Sequence, residues 1–443
     1  MKTIEAMMKK VEDDKIKYVL MQFTDIQGLV KNVTIPVTQL KNALEKGVWF
    51  DGSSIEGFAR IHESDMYLMP DKNTYAVIPW LDDEIKTARF ICDIYTPDGK
   101  PFAADPRYIL KKTMNIAREL GYAYNVGPEP EFFLFKKENG FSTLTHDKAG
   151  YFDLNMDKAY EIRAEMTKAL QDMGIVVEAS HHEVAYGQHE IDFRYDDALK
   201  TADNVITFKF ALKAIADKHD LIATFMPKPI HGINGSGMHC HQSFISLTTG
   251  KNAFYDESDP YLLSDIAKQF VAGQLAHIQE ITPVIAPLVN SYKRLVPGYE
   301  APVYVCWSKT NRSALIRIPR FNPQTSEAAR VELRCPDPSC NPYLAFAAML
   351  YSGIKGIKEN LKPSAPVEED VFEFDDEKLK EYYIKTLPGS LGESIKEMEK
   401  SHLLRELFGP KLFSKYLKSR KAEWDEYRIK VHDWEIKRYM EKY

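Results

Sequence analysis

Gly237-Met-His-Cys-His-Gln-Ser243 alternates polar and apolar residues with a period of two. Side chains on a strand point to opposite faces in turn. A strand here therefore sets His239, His241 and Ser243 on one side and Met238 and Cys240 on the other. Three further stretches repeat the pattern. In Pro128-Glu-Pro-Glu-Phe-Phe133, Glu129 and Glu131 share a face. In Tyr186-Gly-Gln-His-Glu-Ile-Asp-Phe-Arg194, Gln188, Glu190, Asp192 and Arg194 lie opposite Ile191 and Phe193. In Arg330-Val-Glu-Leu-Arg334, Arg330, Glu332 and Arg334 lie opposite Val331 and Leu333. Taken singly, each stretch reads as the solvent face of an antiparallel strand. Four that agree, built from Glu, His and Arg where solvent faces more often use Lys and Thr, read as a binding wall. Glutamate and histidine suit cations, and arginine suits phosphate or carboxylate.

Ser180-His-His-Glu-Val184 adds Glu183. The candidates for cation binding are then Glu129, Glu131, Glu183, Glu190, Glu332 and His239. Carboxylates crowded into one pocket repel and would take up protons unless cations compensate them. Two divalent ions would neutralise most of the charge. Mostly oxygen ligation fits magnesium, and the imidazole makes manganese a reasonable substitute. Two metals beside several arginines point to phosphoryl transfer. For Arg312 and Arg317, in Asn311-Arg-Ser-Ala-Leu-Ile-Arg317, two readings stand level: a grip on polyphosphate, or pairing with surface carboxylates. The Gly-rich stretch His231-Gly-Ile-Asn-Gly-Ser-Gly237 has neither the Walker A nor the G-x-G-x-x-G order. It is a flexible turn that leads into the His239 strand, where its backbone can approach a small substrate closely.

Outward from these strands, 443 residues exceed what one core usually serves, so two domains are expected. Hydrophobic residues at 44% and charged residues at 28% are an ordinary globular balance, which argues against disorder. The net charge of -6, with both signs mixed, gives no nucleic-acid or membrane surface. Cys92, Cys240, Cys306, Cys335 and Cys340 have no C-x-x-C spacing and fit buried thiols in a reducing compartment. Charges interrupt the N-terminal MKTIEAMMKKVEDDKIKYVL throughout, which leaves no signal-peptide core, and no stretch is apolar enough to span a bilayer. A soluble cytoplasmic chain is expected.

Periodicity predicts a helix over 3–12, a short helical stretch Thr38–Glu45 and strands at Tyr18–Phe23, Val30–Ile35, Ala76–Trp80 and Ala88–Tyr95, a small α+β unit. Thr96-Pro-Asp-Gly-Lys-Pro-Phe-Ala-Ala-Asp-Pro106, with three prolines and a glycine, reads as a domain boundary. Beyond it, helices are predicted near 106–120, 157–173, 198–219, 260–281 and 342–355. Strands are predicted near 130–136, 174–179, 186–195, 221–226, 238–246, 314–318 and 328–335. Past Pro363 the chain is charged and helical.

The same blocks resemble glutamine synthetase of the prokaryotic type I class. Asp51-Gly-Ser-Ser-Ile55, Gly127-Pro-Glu-Pro-Glu-Phe-Phe133, His182-Glu-Val184, Asn234-Gly-Ser-Gly-Met-His-Cys-His241, Asn290 through Pro302, Asn311-Arg-Ser313 and Arg334 through Pro342 follow the family's order over nearly the whole chain. The resemblance implies an α+β fold: a β-grasp domain over 1–100, then a catalytic domain over 106–443 with a curved antiparallel sheet and a C-terminal helical segment. It implies two hexameric rings, a dodecamer, with each active site completed by a neighbour's β-grasp domain. It assigns Glu131, Glu183 and Glu190 to one metal and Glu129, His239 and Glu332 to the other, two or more Mg2+ or Mn2+ per subunit. Asn234, Gly235, Arg294 and Arg334 become the glutamate set, with Glu300 and Arg312. Glu178, Tyr195, His241, Gln242, Ser243, Arg312 and Arg317 become the ATP set.

The reaction so implied joins ammonia to the γ-carboxylate of glutamate through a γ-glutamyl phosphate, with glutamate, ammonium and ATP as substrates. Asp51 would bind ammonium and act as base. Composition alone makes it a turn residue. Glu300 would close over the intermediate. Tyr382-Tyr-Ile-Lys-Thr-Leu-Pro-Gly-Ser390 lacks the motif that some relatives adenylylate, so the shorter, feedback-inhibited α-like subclass is expected, with Arg60 the regulatory arginine. A PII-like protein stands as an open regulatory partner. Three readings rival the ligase: a γ-glutamyl-polyamine or amine ligase, a non-catalytic relative and a two-metal hydrolase. The presence of Asp51 counts against the first, the intact ligand set against the second, and the Glu300 flap with the glutamate-site match against the third.

Overall fold

The architecture is taken from a computed structural model that describes residues 3–53, 65–138, 143–297, 301–322 and 324–443. The chain opens with α1 (Ile4–Asp13), β1 (Tyr18–Thr24), β2 (Val30–Pro36), α2 (Leu40–Lys46), β3 (Val48–Asp51), β4 (Asp65–Pro70), β5 (Ala76–Val77) and β6 (Thr87–Tyr95). Their strands form a sheet in the order β2-β1-β6-β4-β3, with β5 added beside β6. Only β1 and β6 run parallel; the other pairs are antiparallel. A mixed sheet with helices packed on it is the β-grasp arrangement. Two of its strands, β3 and β4, are absent from the sequence expectation although burial alternates along both. They flank residues 54–64, outside the described set, and the predicted strand at Ala76–Trp80 shrinks to two residues.

The second unit follows α3 (Pro106–Glu119), which Asp105 caps and Pro106 starts. Its strands are β7 (Tyr122–Lys136), β8 (Val177–His182), β9 (Gln188–Phe193), β10 (Asp196–Asp197), β11 (Leu221–Thr224), β12 (Met238–Ser246), β13 (Tyr304–Ser308), β14 (Ala314–Arg317) and β15 (Val331–Leu333). They make a nine-stranded sheet in the order β13-β14-β15-β12-β7-β9-β8, with β10 and β11 also pairing β7. It is antiparallel except for β13 against β14. The long helices α4 (Tyr160–Asp172), α5 (Ala198–Lys218), α6 (Asp265–Ile285) and α8 (Pro342–Lys358) fall on predicted ones, α6 a turn later than expected; α11 (His402–Arg428) lies past Pro363, where the expectation was only a helical stretch, and α7 (Ser291–Arg294), α9 (Asp376–Glu381), α10 (Leu391–Lys400) and α12 (Asp433–Tyr439) are shorter. Gly409 and Pro410 kink α11.

β7 runs eight residues N-terminal of the predicted strand, through Gly127, Pro128 and Pro130. Prolines two apart turn both missing N–H groups to one edge. The β12 ladder is continuous over 122–130, and β9 joins the other edge only at Glu131. The two units share one apolar core. Arg107, on α3, ties them with bonds to Asp93 (2.6 Å), Asp71 (2.8 Å) and Asp203 (2.9 Å). All five cysteines are free and buried. No helix among the described residues is long and apolar enough to cross a membrane.

Candidate active site

β7 is the spine of the site. Its first half pairs with β12 and its second half with β9, so the register sets Glu129 opposite His239 and Glu131 opposite Glu190. One strand further out, His241 faces Glu332 across β12 and β15, and His181 faces Glu190 across β8 and β9. Cross-strand partners lie on the same face, so the four polar faces form one continuous wall. A cavity of about 410 Å³ opens on it. All six predicted metal residues line this cavity: Glu129, Glu131, Glu183, Glu190, His239 and Glu332. Asn234, Gly235, Arg294, Arg312, Arg317 and Arg334 line it too.

Two groups of ligand atoms converge there, each within 4.8 Å of one another. The first is Glu129, His241 and Glu332. His239 Nδ1 also lies 3.6 Å from Glu129 and 3.8 Å from Glu332, while His241 Nε2 is 2.8 Å from Glu129. Both imidazoles are thus within reach, although the sequence reading named His239 alone for the metal. The second group is His181, Glu183 and Glu190. His181 was missed, although it stands in the quoted His-His-Glu run and alternation sets it beside Glu183. These oxygen-rich donor sets fit divalent cations such as Mg2+ or Mn2+.

The electrostatics show what the acids do without cations. Burial pushes Glu131 up to about 8, and the charge of Glu183 adds to it. Burial, a hydrogen bond with Asp192 and the charge of Glu131 hold Glu190 far above the usual carboxylate range. Burial would raise Glu129 as well, but hydrogen bonds from His239 and His241 outweigh it and hold that carboxyl low. Burial and the Arg334 charge push His239 down to about 4, so its imidazole is neutral, as a metal ligand must be. Glu332 is buried between Arg334 Nη1, at 2.7 Å, and the guanidinium of Arg317.

The residues that the resemblance assigned to glutamate stand on and beside the Gly-rich turn. Ser236 N donates to Pro227 O (2.8 Å), and Gly237 N donates to Glu131 Oε2 (3.0 Å). A Cβ on Gly235 would sit 2.2 Å from Pro227 O, so this close approach excludes any side chain. Arg294 is buried and donates to the carbonyls of Cys335 (2.9 Å), Pro336 and Arg334.

A second cavity, of about 470 Å³, shares Glu129 and Asp192 with the first. Glu178, Tyr195, His241, Gln242 and Ser243 of the predicted ATP set line it. Gln242 needs a correction. Its carboxamide is turned into the core, accepting from Tyr124 (2.8 Å) and Gln274 (2.7 Å), and its main chain is paired across β12 with Val126 of β7 and Val331 of β15. Arg312 and Arg317, which the resemblance assigned to the ATP set, line the first cavity.

Asp51 is not brought to either cavity. It ends β3 on the outer edge of the first sheet, exposed, where its Oδ1 accepts from Ser53 N (2.8 Å). The turn reading of its composition holds within this chain. Glu300 and Arg60 lie outside the described residues.

Sequence reasoning also missed a buried network behind β8 and β9. Asp147 contacts His182 Nε2 (3.1 Å) and His146 Nε2 (2.9 Å), and it accepts from the amides of Lys158 (3.1 Å) and Gly187 (3.2 Å). His189 stacks edge-on against His182 and meets Arg163, which Asp157 holds in turn (2.6 Å). Burial would raise Asp147, but the two imidazoles outweigh it and hold the carboxyl low. His182 and His189 are cross-strand partners, each next in sequence to a carboxylate of the cavity.

Comparison with known proteins agrees with this geometry. The family of the glutamine synthetase beta-grasp domain matches residues 15–97, and that of the glutamine synthetase catalytic domain matches 103–439. Glutamine synthetase of Clostridium saccharobutylicum is 52% identical, covering 100% of this chain and 99% of its own. That of Thermus thermophilus is 49% identical over 100% and 99%. Among solved structures, Plasmodium falciparum glutamine synthetase superposes with a TM-score of 0.90 at 28% identity, covering 99% of each chain. A GmaS complex with ADP gives 0.89 at 28% identity over 100% of each. A sheet whose register gathers two acid–imidazole groups beside arginines, and full-length likeness at about half identity, place the chain in the glutamine synthetase family.

Proposed function

We infer that the chain joins ammonia to the γ-carboxylate of glutamate, with ATP cleaved to ADP and phosphate. The observation that carries this reading is the pair of adjoining cavities. One holds the acids, imidazoles and arginines; the other is lined by Glu178, Tyr195 and Ser243; Glu129 and Asp192 form the wall between them. A nucleotide in the second cavity would present its phosphates to the first, as in-line phosphoryl transfer requires.

Two divalent cations, magnesium or manganese, would be held by Glu129, His239 and Glu332 and by Glu131, Glu183 and Glu190, with His241 and His181 close by; when bound they neutralise phosphate charge. The chain's own groups do the rest. Asn234, the Gly235 backbone and Arg294 orient glutamate so that its γ-carboxylate attacks the γ-phosphate. Arg312 and Arg334 stabilise the charge that spreads over the transferred group, and arginine suits this because its planar fork meets phosphate oxygens bidentately. Ammonium then loses a proton to Asp51, and the ammonia so formed attacks the acyl carbon and expels phosphate, while Glu300 shields the intermediate from water.

The assembly belongs to the same reading: two hexameric rings, units of 1–100 and 106–443, and a site completed across the subunit boundary. The exposed edge position of Asp51, apart from its own chain's cavity, supports that sharing. A cytoplasmic location, feedback control through Arg60 and a PII-like partner complete it. The test is phosphate release with ATP, magnesium, glutamate and ammonium, each omitted in turn, with a panel of amines in place of ammonium. Release that ignores glutamate, or an amine that outruns ammonium, would overturn the reading.

A further inference from the structure

A cavity of about 610 Å³ lies away from the active site, between the β1–β2 hairpin, α5 and the segments 287–288 and 338–341. It shares no residue with either active-site cavity. Four of its twenty lining residues are cations, Lys31, Lys209, Lys213 and Arg420, and none is Asp or Glu. In a chain with 64 acidic residues and a net charge of -6, such a wall is unusual.

Two of these charges are already answered. Arg420 donates to Pro287 O (2.8 Å) and Glu423 (2.9 Å), and Lys31 lies 3.4 Å from Asp25. The other two are not. Lys209 Nζ reaches only a neutral acceptor, Cys340 O, at 3.0 Å. Lys213 Nζ lies 5.9 Å from the Phe225 ring centre. Among the described residues neither lysine enters an ion pair. Partial desolvation lowers both ammonium groups, Lys209 to about 8 although the charge of Asp337 works the other way. The rest of the wall is largely apolar, with Ile206, Phe210, Phe225 and Met226 around the lysines.

We propose that this cavity is a binding site for a small organic anion that carries a carboxylate or phosphate group on an apolar body. Lys209 and Lys213, one turn apart on α5, receive the anionic end, and the aromatic rings receive the body. The volume is that of a ligand pocket, and the mix of apolar lining with a few convergent polar groups is the usual one. The occupant touches both units of the chain. Asn341 Nδ2 donates to Asp25 O (2.9 Å), and a Cβ on Gly28 would stand 2.9 Å from Asn341 Cα, so the hairpin rests directly on the start of α8. A ligand wedged beside this contact couples the first sheet to the catalytic unit.

The experiment is calorimetric titration of the assembled full-length protein with its nucleotide site saturated by ADP and magnesium. The probes are phenyl phosphate, benzoate and, as a neutral control, benzyl alcohol. At least one anion is expected to bind with a dissociation constant at or below about 1 mM. Lys213→Gln and Lys209→Gln are each expected to weaken it by at least about tenfold. Whether phosphate or carboxylate binds more tightly identifies the source of the charge. Lys213 is exposed at the cavity mouth, so Lys213→Gln tests the site even if Lys209→Gln, at a half-buried position, fails to fold, and its turnover with glutamate and ammonium is expected to be unchanged. The proposal is overturned if neither anion binds, if Lys213→Gln leaves the affinity intact, or if benzyl alcohol binds equally well. It is also overturned if Lys213 in the ligand-free assembly resists acetylation, which would assign the cavity to a contact between copies.

Discussion

Glu131 on β7 and Glu190 on β9 are direct cross-strand partners, and both carboxyls are held above their ordinary range, chiefly by burial. The folded, metal-free chain therefore keeps protons that the unfolded chain would release. Raised carboxyl values make its stability fall as pH climbs from the ordinary 4.5 through about 8. A divalent cation displaces those protons and removes the repulsion. The rise in melting temperature on adding Mg2+ is thus expected to be larger at pH 8 than at pH 6. Titration in buffers of different ionisation enthalpy should show proton release on binding. An equal rise at both pH values, with no proton released, would count against the pair as the seat of the cation.

Glu332 is an acid that the protein compensates with arginine, set between Arg317 and Arg334 with its side chain 1% exposed. Glu332→Ala leaves two guanidinium groups facing a void. Breaking a buried pair from one side costs about 3–5 kcal/mol. Denaturant unfolding of the metal-free protein should register that loss. Glu332→Gln keeps shape and one acceptor, so it should recover much of the stability while metal binding stays impaired. A Gln variant that binds Mn2+ as tightly as the parent would remove Glu332 from the ligand set.

These residues also mark how far the sequence could be read. Alternation along 237–243, 128–133, 186–194 and 330–334 fixed which side chains share a wall, because strand parity is local. The same parity puts Gln242 with Met238 and Cys240 on the core face, where Tyr124 and Gln274 hold its carboxamide. The register that brings Glu129 to His239 and Glu131 to Glu190 is set by long-range pairing and is invisible in any one stretch. Asp147 and His146 stand in an aperiodic loop, where no spacing signals burial. Prolines at 128 and 130 hid half of β7, since a strand edge free of partners cannot be recognised before the sheet is assembled.

Asp147 predicts a role that its distance from the substrate cavities would not suggest. It holds His182, the residue next to Glu183, and His182 packs on His189, the residue next to Glu190. Groups hydrogen-bonded to metal ligands typically change metal affinity 10–100-fold when removed; Asp147 acts one residue further back, so the lower end of that range, about tenfold, applies. Asp147→Asn is expected to lower Mn2+ affinity by roughly that factor while ADP binding, measured without metal, stays near the parent value. A merely structural role would weaken both together. Unchanged Mn2+ affinity in a folded variant would show that the network bears on packing alone.

Asp51 and Arg334 give the sharpest test of a site shared between chains. Arg334→Gln alone should lose roughly 10²–10³ in rate, as for a group that stabilises developing charge. Asp51→Ala alone should lose ammonium-dependent turnover, although Asp51 stands outside the cavity of its own chain. When the two variants are co-assembled in equal amounts, a site built from one subunit's Arg334 and its neighbour's Asp51 is intact wherever the right two meet. Random placement around a closed ring makes that about one site in four. Mixed assemblies should therefore regain about a quarter of the parent rate, as the pairing statistics of a ring require. Sites contained within single chains could never recover this way, because each chain carries one lesion, and a mixture as inactive as its components would place Asp51 outside the reaction or inside its own subunit's site.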